Sequence, residues 1–272
     1  MISSVFDDTG NGGTVDRTSK RPPRVMAAIP AYNEESNIVS VVERTRPHVD
    51  LVVVIDDGSS DDTARLAEAA GAVVVRHRTN LGKAGGIMTA ANFATVRDID
   101  YLVLLDGDGQ HDPADIPRLL DPLRRGLADI VVGSRFLEIR NPIPFYRTIG
   151  QRVLNVATHA GSGLRCSDSQ CGYRALTRDV FSRLSLHETF LHGLAVESEM
   201  QFQVSELGFR MHEVPIFVSY DERARRSPIK HGFGVLFRVI AMSSRKWSGK
   251  TSRRTEPRSS ATQFDVSSRA AK

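Results

Sequence analysis

The stretch Tyr101–Pro113, YLVLLDGDGQHDP, decides how the rest of the chain is read. Residues 101–105 form an apolar run of the kind that becomes a strand buried on both faces, and the run stops at Asp106-Gly107-Asp108-Gly109-Gln110. Two carboxylates one residue apart, just past a buried strand, cannot both shed water unless a cation lies between them, because an unpaired buried charge is costly. The flanking glycines let the backbone turn sharply and let a ligand come close. The same five residues also satisfy the rules for a solvated Asp-Gly turn, so both readings stand until the neighbouring segments are taken in.

Working outward, RVMAAIP (24–30), LVVVID (51–56), AVVVR (72–76) and ADIVVGSRF (128–136) read as four more buried strands. Between the first three lie a helix with Ile38, Val41 and Val42 on one face, capped by Asn33 and ended by Pro47, and a second over 62–70, capped by Ser60 or Asp61 and stopped at Gly71. Asn80–Gly86 opens a third helix, and Pro113 lies in the first turn of a fourth. Further on, the pattern predicts a helix at about 147–160, a turn-rich segment running into a short strand over 166–176, a short helix over 178–184 and a helix over 196–208. A last strand follows over 209–220, placed at a sheet edge by Pro215. Strands alternating with helices in this way predict an α/β fold, a mostly parallel central sheet with helices on both faces. Ligands in such folds bind beyond the carboxyl ends of the strands. Pro30–Glu34, Asp56–Ser59 and Asp106–Gln110 all fall at those ends.

Composition sets the outer limits. The 272 residues carry a net charge of +4 and 40% hydrophobic content, enough for one large core. Arg223–Lys272 holds thirteen Lys/Arg against Glu256 and Asp265, net +11, which leaves −7 for residues 1–222. Such asymmetry points to a polyanion or an anionic membrane surface as partner. The tail lacks the aromatic interleaving of single-strand binders, which argues against nucleic acid. The expected organisation is a disordered arm over 1–23, one domain over 24–232, a basic amphipathic helix over 233–247 and a disordered basic tail over 248–272. No apolar run reaches 18 residues and the N-terminus has no signal-peptide core, so the expected location is the cytoplasm. Cys166 and Cys171 fit neither a disulfide framework nor a zinc knuckle and read as free thiols.

Other candidates have two readings each. NLGKAGG (80–86) lacks the GxxxxGK[ST] spacing of a P-loop, which excludes that class; its glycines serve close helix packing, or Lys83 and nearby N–H groups face an anion. Arg135 follows a strand end, where a forked cation suits phosphate. Asp168 is a turn former or a general base, and Glu197 and Glu199 are helix-dipole partners or bases. His111 is a cap or a metal ligand.

Taken in order, IPAYNEE (29–35), VVVIDDGSSDDT (52–63), NLGKAGG (80–86), LLDGDGQ (104–110), VVGSR (131–135), DSQCGYRAL (168–176) and EVPI (213–216) resemble the family 2 glycosyltransferases of the Rossmann-like GT-A fold. Within them the chain resembles the dolichyl- or polyprenyl-phosphate sugar synthases. The resemblance covers about residues 24–232 and implies a metal-dependent, inverting transfer of a hexose from a GDP- or UDP-linked sugar to a polyprenyl phosphate at the inner face of a membrane. It further implies that Pro30, Tyr32 and Glu34 line the nucleobase pocket, that Asp57 holds base or ribose, and that Lys83 and Arg135 contact phosphate. Asp106 and Asp108, with Gln110, are implied to hold Mg²⁺ or Mn²⁺. Arg223, Ser227 and Lys230 are the nearest matches to the family's acceptor-phosphate residues, at broken spacing. A saccharide or small-molecule hydroxyl acceptor is the alternative, requiring a base that a phosphate acceptor does not. A non-catalytic nucleotide-sugar or nucleic-acid binder is the reading from another class.

Overall fold

Continuous apolar runs pair as parallel strands because each must bury both its faces. The computed structural model describes residues 21–137, 145–186, 196–218 and 265–266. In it the runs become β1 (Val25–Ala31), β2 (Leu51–Asp56), β3 (Val73–Arg76), β4 (Tyr101–Leu104) and β5 (Ile130–Ser134). Then follow β6 (Arg174–Thr177), β7 (Met211–Pro215) and a two-residue strand β8 (Asp265–Val266). They form one sheet in the order β7-β5-β6-β4-β1-β2-β3-β8. β1 is parallel to both β2 and β4, β2 to β3, and β5 to β7; β6 runs antiparallel between β4 and β5. Pro215 lies in the terminal strand, as its missing N–H requires.

Alternation along β1 sorts the helices. Val25, Ala27 and Ile29 belong to a core shared with α1 (Ile38–Thr45), α2 (Thr63–Ala69) and α4 (Ile116–Arg124). Met26 and Ala28 face the opposite side, with α3 (Gly82–Val96), α6 (Arg178–Phe181) and α7 (Val196–Glu206). The remaining helix, α5 (Phe145–Ser162), packs on α7. Cys166 and Cys171 are buried free thiols.

Three caps differ from the expectation. The N-cap position of α2 is Asp62, with Asp61 accepting from the Thr63 N–H. Asn33 has φ of 56° and does not cap α1; Asn37 occupies that position, while the Asn33 side chain accepts from the Ser60 N–H. Asp112 caps the short 3-10 turn Pro113–Asp115, accepting from the Ala114 N–H, so His111 is not that cap. The expected N-terminal arm, Arg223, Ser227, Lys230 and the basic 233–247 helix lie outside the described residues, apart from Arg21–Pro23. β8 falls within the stretch read as a tail and pairs antiparallel with β3.

Candidate functional site

Strand register brings the polar ends together. Ala31 lies beside Asp56, and Ala28 beside Leu104, so the turns after β1, β2 and β4 open on one crevice. Antiparallel β6 begins at the same level, with Arg174 paired to Leu104, which adds the 166–173 loop to the crevice wall.

The turn after β4 places Asp106 and Asp108 there, with Gly109 at φ of 75° completing the bend and the Gln110 N–H donating to Asp108 Oδ1. Lys83, on the first turn of α3, sets its Nζ 2.7 Å from Asp106 Oδ1 and 2.8 Å from Glu197 Oε1. Burial pushes the Asp106 carboxyl up, but the Lys83 charge and hydrogen bond, together with the other positive charge nearby, outweigh it in sum and bring the group to about 2. Asp108 has no such cation: burial and the neighbouring Asp106 charge push it up to about 6, with Glu34 adding to the effect. The acids are thus under-compensated as built, and their hard oxygens suit a hard divalent cation. Among the described residues no group of three His, Cys, Asp or Glu stands close enough to hold a metal. The two carboxylates, with Gln110 beside them, would suit a hard divalent cation that takes few protein ligands.

His111 is buried beneath this turn. Its Nδ1 accepts from the Asp106 N–H, its ring stacks on Tyr173 with centroids 4.9 Å apart, and burial lowers it to about 4, which leaves it neutral. A ring braced in this way supports the turn.

Arg135 follows β5, and Asp168 meets it from the 166–173 loop. Nε donates to Oδ2 at 2.6 Å and Nη2 to Oδ1 at 2.7 Å, a two-pronged pair in which Asp168 is fully buried. Both oxygens of Asp168 are thus engaged in aiming Arg135. The loop carrying Asp168 is anchored by Glu213 of β7, which accepts from the Ser167 N–H and Oγ and from the Asp168 N–H. Buried Arg174 ties the same loop to α7 by donating to the carbonyls of Ser169, Cys171 and Glu197.

Asp57, expected to hold base or ribose, lies just past the end of β2 beside the start of α3. It is buried, accepts from the Leu81 and Gly82 N–H groups at 2.7 and 2.8 Å, and lies 2.7 Å from His77 Nδ1. His77 in turn meets Thr89 Oγ1 through Nε2. Asp57 and His77 therefore fix the start of α3 and so the base of Lys83. Tyr32 is 48% exposed on the crevice rim, Pro30 packs against Gly86, and Glu34 accepts from the Asn37 amide. Glu197 is held on Lys83, and Glu199 lies about 200° round the helix from it.

Sequence reasoning missed His77, Arg174, Gly172 and Glu213. Glu213 had a signal in its place in EVPI, and Gly172 and Arg174 in theirs in DSQCGYRAL; His77 is defined by Asp57 and Thr89, which are distant in the chain.

Residues 27–185, more than half the chain, match the profile of Glycosyl transferase family 2, and the chain belongs to that family. It is an enzyme of the glycosyltransferase class. It is 32% identical over 226 residues to the polyprenol monophosphomannose synthase of Mycolicibacterium smegmatis, covering 78% of this chain and 84% of that protein. A UDP-N-acetylglucosamine–dolichyl-phosphate N-acetylglucosaminyltransferase of Methanococcus voltae is 28% identical over 253 residues, covering 82% and 97%. Among solved structures, glucosyl-3-phosphoglycerate synthase of Mycobacterium tuberculosis, in complex with Mn²⁺, UDP-glucose and phosphoglyceric acid, superposes with a TM-score of 0.64 at 22% identity, covering 82% of this chain and 80% of that one. The fold is the GT-A fold.

Proposed function

We propose that the protein transfers a hexose from a nucleoside diphosphate sugar to a polyprenyl phosphate, using Mg²⁺ or Mn²⁺ and inverting the anomeric centre. The observation that carries this reading is the state of the carboxylates around the crevice. Asp168 is locked on Arg135 and Glu197 on Lys83, so neither is poised to take a proton from an acceptor. An acceptor phosphate needs no such help, because its second pKa is about 6 and it is mostly ionised at neutral pH. The names of the Mycolicibacterium and Methanococcus relatives, which carry a polyprenol or dolichyl phosphate, support this reading.

Asp106 and Asp108, with Gln110, hold the divalent cation, which when bound supplies Lewis-acid neutralisation of the departing diphosphate. Lys83 and Arg135 hold phosphate oxygens, Arg135 in the orientation that Asp168 gives it. Pro30, Tyr32 and Glu34 line the pocket for the base. Asp57 acts by fixing the 81–82 turn. The acceptor oxygen attacks the sugar's anomeric carbon as the bond to the diphosphate breaks, and a single displacement of this kind inverts that carbon. Arg223 and Lys230 supply charge, and Ser227 a hydroxyl, for the acceptor phosphate, and the basic segment around them rests on the anionic inner leaflet. Among the described residues no helix is long and apolar enough to cross a membrane.

Transfer to a hydroxyl is the second reading, and one contact favours it: if Lys83 moves to a bound phosphate, Glu197 is freed as a base. One experiment separates the two. Labelled UDP- and GDP-sugars are incubated with polyprenyl phosphate or with free saccharides, with Mg²⁺, with Mn²⁺ or with chelator. The lipid reading expects label in the organic phase that chelator abolishes; label only on saccharide, or none in lipid with any donor, overturns it.

A further inference from the structure

We propose that Lys83 is a built-in counter-ion that competes with the divalent cation for Asp106, and that the donor's diphosphate relieves the competition by drawing Lys83 away, so that cation and nucleotide bind cooperatively. This rests on the reading of Asp106 and Asp108 as the cation's ligands.

The geometry is specific. The Lys83 ammonium is at contact distance from Asp106 Oδ1, the oxygen of a carboxylate that a hard cation must also reach. The pair is seated against the backbone of Gly172, where even a methyl group would stand 2.7 Å from Nζ and 2.8 Å from Asp106 Oδ2. On that side there is no room for a second cation beside the first. Two positive charges on one carboxylate also repel strongly at such separations. A metal ion reaching Asp106 therefore has to displace Lys83 or bind beside it at a cost.

The lysine has a second place to go. Its other contact, Glu197 Oε1 at 2.8 Å, keeps it in the crevice when Asp106 is given up, and its flexible four-carbon stem allows the shift without backbone movement. Glu197 is held for this purpose, since Arg174 binds its carbonyl and fixes that turn of α7. The start of α3 is fixed as well, by Asp57. What the relocated ammonium then lacks is its second anion. A diphosphate bound to the cation provides one, so the same ligand satisfies both charges. Coupling of this kind is reciprocal: the nucleotide strengthens cation binding by the factor by which the cation strengthens nucleotide binding.

The test is a Mn²⁺ titration of the full-length wild type and of Lys83→Met and Lys83→Gln, followed by the electron paramagnetic resonance of free Mn²⁺, alone and with UDP or GDP. Chelation by the nucleotide is measured without protein and subtracted. Both substitutions remove the charge from a side chain that is about one-third exposed, and circular dichroism checks that each variant is folded. The variants are expected to bind Mn²⁺ alone on the order of tenfold more tightly than the wild type, and to gain correspondingly less from nucleotide. Variants that bind Mn²⁺ alone no more tightly than the wild type overturn the competition. If the wild type binds no Mn²⁺ with or without nucleotide, or if Asp108→Asn leaves Mn²⁺ binding intact, it is the cation-site reading that fails.

Discussion

Asp106 and Asp108 are two residues apart, yet their surroundings drive their carboxyls in opposite directions. Lys83 holds the first at about 2, whereas burial and the charge of Asp106 push the second to about 6. Environments that separate two like groups in this way mark a site arranged for charge, because a purely structural turn has no use for an acid it must partly neutralise. The sign of the linkage follows. A carboxyl whose folded pKa lies above its unfolded value of about 3.9 stabilises the fold below that pH, and the benefit is lost as pH rises through about 6. At pH 7 the ionised Asp108 is therefore a burden on stability. Replacing it with Asn is expected to lower transfer on the order of a hundredfold, as loss of one stabiliser of developing charge does, while the melting temperature at pH 7 stays the same or rises. Parallel activity assays and thermal melts check this, and a variant that loses activity only because it unfolds would contradict it.

Between the elements, the load falls on one chain of contacts. Glu213 in β7 holds the backbone N–H groups of Ser167 and Asp168, that loop presents Asp168, and Asp168 orients Arg135 at the end of β5. Glu213→Ala is expected to raise KM for the donor by about tenfold with a smaller change in kcat, and Glu213→Gln, which keeps one acceptor oxygen, to recover part of it. A Glu213→Ala enzyme with lower stability and unchanged donor KM would reduce the residue to a structural tether. This relay also marks the boundary of what a string of residues reveals. The apolar runs of β1 to β5 and the polar clusters after them were legible because strand burial is a local pattern, and so was the edge position of Pro215. The direction of β6 was not, since it depends on which strands it joins. Asn33 looked like a cap because its chemistry is right, but its backbone is left-handed and its amide oxygen serves Ser60. The contact of Asp168 with Arg135 was not legible because the two are 33 residues apart, and those of Asp57 with residues 77, 81 and 82 were not for the same reason.

Across the whole molecule, charge is divided between a net-negative portion over residues 1–222, which supplies the crevice carboxylates, and a net-positive final stretch of +11. Under the proposed function that division has a use: the crevice acids take a cation of their own, and the basic segment offers an anionic leaflet a separate partner. All of this rests on one claim, that Asp106 and Asp108 together grip a divalent cation that also grips the donor's diphosphate. The most direct measurement is anomalous scattering at the manganese edge from crystals grown with Mn²⁺ and UDP or GDP. The predicted result is a single strong peak bridging the carboxylates of Asp106 and Asp108 and the diphosphate, with Lys83 Nζ withdrawn from Asp106 onto phosphate. A nucleotide bound in the crevice with manganese elsewhere, or with no manganese at all and Lys83 still on Asp106, would contradict it.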